Sequence, residues 1–207
     1  MKVLTISIAL FFIAQEKEEG FISLFNGKDL TGWKTGENTD TWKVEDGHLV
    51  CHGARSHLFY VGDVKDHVFK NFEFKADVLV KPNSNSGIYI HTEYQEKNWP
   101  DKGFECQICA DGFKDPRKTG SIYAVKDLDK SPVKDDEWFE YHILVKGKKI
   151  EIRFNGKTVN EWTQPEGWTS PKGFKNRVLD KGTFALQGHD PGSTVWFKNI
   201  RVKPLED

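Results

Sequence analysis

The stretch that most limits how this chain can fold is Phe72-Glu73-Phe74-Lys75-Ala76-Asp77-Val78-Leu79-Val80. Phe72, Phe74, Ala76, Val78 and Val80 recur at every second position. Successive strand side chains point to opposite faces, so this period of two reads as a half-buried β-strand. Glu73, Lys75, Asp77 and Leu79 take the other face. Similar short runs fill the chain after residue 20, and turn residues separate them. Asp46-Gly47 stands between Trp42–Glu45 and His48–Cys51, Gly147-Lys148 between Glu140–Lys146 and Lys149–Phe154, and Asn155-Gly156 precedes Lys157–Trp162. Asp-Gly and Asn-Gly tolerate the positive φ of two-residue hairpins.

About a dozen such strands with tight turns predict an all-β fold, an antiparallel two-sheet β-sandwich. At 207 residues the chain suits a single such domain over residues 20–207. A curved jelly roll of this kind has a concave outer face that makes a natural groove. Two connections, 111–137 and 163–181, are longer than the sandwich requires. Long loops on compact domains tend to carry function.

The first residues read differently. Lys2 precedes the apolar run Val3 to Ala14, which has signal-peptide length and is too short to cross a bilayer. Residues 1–19 are expected to be a signal peptide, and the protein to be exported to the periplasm or the exterior. No other segment is apolar enough to span a membrane. Lys and Arg number 30 against 31 Asp and Glu, so no charge excess favours nucleic acid or an anionic membrane surface. Cys106-Gln107-Ile108-Cys109 is a lone CxxC, and with Cys51 the thiols are odd in number. Packing as small hydrophobes is the expectation, rather than a zinc or redox centre.

The chemistry gathers on alternate strand positions. In Gly87-Ile88-Tyr89-Ile90-His91, alternation puts Tyr89 and His91 on one face. In Phe104-Glu105-Cys106-Gln107-Ile108 it does the same for Glu105 and Gln107, and near the C-terminus for Gln187 and His189. Glu and His are acid–base groups, while Gln and Tyr hold hydroxyls and carbonyls. The set suits a neutral polyol such as a sugar, and it equally suits an ordinary solvated sheet face. Paired acids for conventional glycoside hydrolysis are not indicated. His91, His189 and Glu105 leave a divalent metal open, although no cofactor is required.

Several motifs add a family resemblance. Phe25-Asn26-Gly27-Lys28-Asp29-Leu30-Thr31-Gly32-Trp33, Asn85-Ser86-Gly87-Ile88-Tyr89, Gly103-Phe104-Glu105-x-Gln107-Ile108, Thr119-Gly120-Ser121-Ile122-Tyr123 and Leu186-Gln187-x-His189 occur in that order. In this order the chain resembles the bacterial 3-keto-disaccharide hydrolases over nearly its whole length after residue 20. The resemblance implies a concanavalin A-like lectin/glucanase jelly roll. It also implies an enzyme that cleaves 3-keto-glycosides, supplied by an upstream sugar 3-dehydrogenase. A 3-keto group acidifies the proton on C2, so one base can start β-elimination of the C1 substituent, and water then adds back. On this pattern Glu105 and His189 are the expected catalytic groups. His91, Gln107, Tyr123, Gln187, Tyr89, Trp99 and Lys126 are the expected substrate contacts. His91 stands where the family pattern carries Arg. The alternative is a non-catalytic carbohydrate-binding module using the same face.

Overall fold

The computed structural model describes residues 18–207. Except for its last two residues, the expected signal segment lies outside the described residues. The described strands are β1 (Ile22–Ser23), β2 (Trp33–Thr35), β3 (Trp42–Glu45), β4 (His48–His52), β5 (Ser56–Tyr60), β6 (Asn71–Val80), β7 (Asn85–Thr92), β8 (Phe104–Cys109), β9 (Phe139–Lys146), β10 (Lys149–Phe154), β11 (Lys157–Thr163), β12 (Thr183–Gly188) and β13 (Thr194–Leu205). They build two antiparallel sheets. The larger runs β11-β10-β9-β6-β13-β4-β3, with β1 added along β13; the smaller runs β2-β5-β12-β7-β8. This is the two-sheet sandwich that the period-two pattern predicts.

The core lies between the sheets, and β6 shows how the sequence makes it. Phe72, Phe74, Ala76, Val78 and Val80 are fully buried, while Glu73, Lys75, Asp77 and Leu79 are half-buried on the outer face. Phe184 on β12 answers from the other sheet. Its ring centroid lies 4.7 Å from those of Phe69 and Phe74 and 4.9 Å from that of Phe72. Aromatic rings at these separations add specific edge and offset contacts to plain area burial. The hairpin between β3 and β4 turns on Asp46 and Gly47, both at positive φ, as a type I′ turn demands. Cys51, Cys106 and Cys109 are free and buried, and Cys51 and Cys106 pack in the main core cluster.

The other face of the smaller sheet is where a solvated surface would be expected. It is not solvated. His57, Tyr89, Glu105, Gln107 and Gln187 point away from the core yet are each at most 5% exposed. Segments 93–103, 110–138 and 164–182 supply groups that stand over them. A polar sheet face roofed by its own loops is a pocket floor, so the ambiguity left by alternation disappears.

Candidate functional site

The strand register assembles the floor. On β7 and β8, Tyr89 pairs with Glu105 and Gly87 with Gln107. On β12, Ala185 pairs with Tyr89 and Gln187 with His57 of β5. Antiparallel pairs on one face stand about 4.5–5.5 Å apart, so Glu105, Tyr89, Gln187 and Gln107 converge over Gly87. A β-carbon on Gly87 would lie 2.9 Å from Glu105 Oε1 and 3.0 Å from its Cγ. Only glycine leaves room for the carboxylate there.

Glu105 is the centre of the donor set. Tyr89 donates its hydroxyl to Oε2 at 2.9 Å, and Gln187 donates Nε2 to Oε1 at 2.7 Å. Oriented so that both ends of its amide have partners, Gln107 donates to Oε1 at 3.1 Å and to the Ser86 carbonyl at 2.9 Å. Arg177 Nη2 stands 3.9 Å from Oε2. Burial pushes the Glu105 pKa above the ordinary carboxylate range, against the pull of the Arg177 charge and the Tyr89 and Gln187 hydrogen bonds. Burial, with Glu105 beside it, also raises the Tyr89 phenol far above its usual range. The Gln187 Oε1 atom is buried with no protein partner.

The cavity above this floor holds about 240 Å³. Trp99 and Pro100 come from the β7–β8 loop, Asp115 and Tyr123 from the β8–β9 connection, Phe174 and Arg177 from the β11–β12 connection, and His189 from just past β12. Tyr123 donates to Asp115 Oδ2 at 2.9 Å, and burial together with that carboxylate lifts its phenol pKa to about 12. Arg177 is 5% exposed; its guanidinium lies 4.0 Å over the Phe174 ring and donates to the Tyr123 carbonyl. His189 Nδ1 is 2.7 Å from Asp190 Oδ2, which leaves Nε2 as the ring atom free for a ligand. Burial works against the Asp190 charge, but hydrogen bonds from His189 and Ser193 hold its carboxyl below the usual range.

The cavity therefore brings together Glu105, His189, Gln107, Tyr123, Gln187, Tyr89 and Trp99 of the residues expected from sequence. Two expectations need correction. His91 does not share the face of Tyr89. Ala185 pairs with Tyr89 but Thr183 with Thr92, so β7 carries one extra residue, and His91 sits at φ 53. This bulge breaks the alternation. The ring turns against Phe72, with Nε2 2.9 Å from the Lys70 carbonyl and Nδ1 accepting from the Asp180 amide at 3.3 Å. Those partners fit a neutral ring, and burial lowers its pKa to about 4. The second correction is Lys126. It reaches the Glu161 carbonyl at 2.8 Å instead of the cavity.

Period-two alternation carries no signal for Arg177, Asp115 and Phe174. Their only signal was that they lie on the two over-long connections. Among the described residues, no three His, Cys, Asp or Glu side chains converge as metal ligands.

Comparisons with known proteins agree with this fold. A model of the 3-keto-alpha-glucoside-1,2-lyase-like domain matches residues 20–203. The chain is 27% identical to a 3-keto-disaccharide hydrolase of Bacteroides thetaiotaomicron, covering 91% of this chain and 79% of the relative. A crystal structure of a provisionally assigned glycosyl hydrolase from Parabacteroides distasonis superposes with a TM-score of 0.76 at 29% identity, over 91% of this chain and 95% of the other. A second such protein from that organism gives 0.70 at 25% identity, over 89% and 99%. A Bacillus subtilis carbohydrate-binding module, at 15% identity and a TM-score of 0.57 over 83% and 95%, shares the fold.

Proposed function

The chain belongs to the 3-keto-alpha-glucoside-1,2-lyase-like domain family, and from that membership we propose that it cleaves 3-keto-glycosides by elimination and hydration. It is a glycoside-hydrolase-like carbohydrate enzyme. One observation carries the mechanistic reading: a single buried carboxylate, Glu105, lies among neutral donors, with Arg177 as the neighbouring cation. A carboxylate with a raised pKa is a stronger base than an ordinary one and suits removal of a carbon-bound proton.

In the proposed sequence Glu105 takes the C2 proton of the 3-keto sugar. The electrons of that C–H bond form the enolate, whose negative charge rests on the C3 oxygen. Arg177 supplies positive charge and N–H donors for that oxygen. Re-formation of the ketone expels the C1 substituent, and His189 gives a proton to the leaving oxygen. Water then adds at C1 of the unsaturated sugar and gives its proton to His189, Glu105 returns its proton to C2, and the sum is hydrolysis. Asp190 fixes the His189 ring for its part. The substrate implies an upstream oxidation of the C3 hydroxyl, and we infer that both steps occur outside the cytoplasm.

Asp115 offers a second carboxylate in the cavity, so direct two-acid hydrolysis is the competing route. Its oxygens already accept from the Tyr123 hydroxyl and the Arg117 amide. The test is to incubate the protein with a 3-keto-glucoside and with its unoxidised parent. Elimination predicts release from the 3-keto compound only. It also predicts a loss of about 10²–10⁴ in kcat for Glu105→Gln and a smaller loss for Asp115→Asn. Cleavage of the unoxidised parent would sink the proposal.

A further inference from the structure

The cavity over the floor is small, about 240 Å³, below the roughly 300 Å³ at which pockets for drug-sized ligands begin. The reacting ring must reach Glu105 on the floor, so the group leaving from C1 has to lie at the mouth.

Trp99 is at that mouth, and its state is unusual for this molecule. It lines the cavity and is nonetheless 39% exposed; the other large hydrophobics exposed among the described residues, Ile22, Val68 and Val178, are aliphatic and lie outside it. Trp99 is also held firmly. His57 meets its ring edge-on at 5.5 Å, and the His189 ring lies 5.2 Å away. Its carbonyl accepts from Gln95 Nε2 at 2.9 Å. The preceding Asn98 amide donates to Glu37 Oε1, which also takes Arg55 Nε at 2.7 Å. The Arg55 guanidinium also lies over its ring, 5.3 Å from the centroid, and an indole held this way yet still 39% exposed loses little freedom when a ring stacks on its remaining open surface.

We infer that Trp99 is a leaving-group subsite, and that it selects 3-keto-glycosides whose C1 substituent is a flat or ring-shaped group, aryl or pyranosyl, over short alkyl ones. The inference rests on the proposed reaction for its substrate. Recognition at the subsite is by stacking and shape, so the linkage partner is read loosely while the keto ring is read tightly.

The test compares methyl, phenyl and glucosyl 3-keto-glucosides with wild type, Trp99→Phe and Trp99→Leu. Leu keeps apolar bulk against His57 if smaller replacements fail to fold. The expected result is a KM for the phenyl and glucosyl substrates about 3–10-fold higher in Trp99→Leu, with a distinctly smaller change for methyl, and most of the preference kept in Trp99→Phe. Equal effects on all three substrates would overturn the subsite. Should wild type turn over none of them, the proposed reaction is lost. The subsite is then judged by calorimetry with unoxidised phenyl and methyl glucosides: it stands if wild type binds phenyl more tightly and Trp99→Leu does not, and it falls if the two bind alike.

Discussion

Gly87 lies directly beneath the Glu105 carboxylate, so near that a β-carbon would stand 2.9 Å from Oε1. Gly87→Ala should therefore move the carboxylate while leaving the strand pairing of β7 intact. Displacements near 1 Å at a reacting group cost about 10²-fold. The expected outcome is a fall in kcat of about 10–100-fold with little change in melting temperature, measured by turnover of a 3-keto-glucoside alongside thermal unfolding.

The charge of Arg177 holds the Glu105 pKa lower than burial alone would set it. Taking that charge away lets the pKa rise. If Glu105 acts as the ionised base, kcat/KM climbs with pH through that pKa. Arg177→Gln should shift this acidic limb to higher pH and lower the plateau by about 10²–10³. A pH–rate profile between about pH 4 and 9 reads both, and an unmoved limb would detach Arg177 from Glu105.

Glu105 costs the fold stability. An acid whose folded pKa is raised binds protons better when native, so its stability contribution is complete below the unfolded pKa, about 4.3, and is lost as pH rises through the folded value. Glu105→Gln should then melt higher than wild type near pH 7. The gap should close near pH 4, where both side chains are neutral. Melting curves at the two pH values decide it.

Phe184 meets Phe69, Phe72 and Phe74 at the centre of the sandwich. Phe184→Ala should destabilise by about 3–5 kcal/mol, read as a lower urea midpoint. The cost is set by the cavity left behind and needs no change at the site.

Much of this architecture was legible in the residues. Alternation on β6 and the Asp-Gly turn encode local geometry, and local geometry is what a sequence states most directly. Glu105, Gln107 and Gln187 lie on the face that alternation gives them because nothing interrupts period two between them and their neighbours. His91 was misplaced because a bulge depends on how β7 meets β12, and no pattern within β7 announces it. Arg177 and Asp115 lie on irregular loops, where periodicity carries no information about direction. Only loop length marked those segments.

The floor of the cavity is made by strands and its walls by connections. These two parts answer to different pressures. A change in a floor residue disturbs the ladder on either side, whereas a loop can lengthen, shorten or exchange residues without touching the pairing. Descendants of such a scaffold can thus keep the floor around Glu105 while the loop groups at the mouth diverge. Among the relatives, divergence at positions matching Trp99 and Phe174 should outpace that at positions matching Glu105 and Gly87.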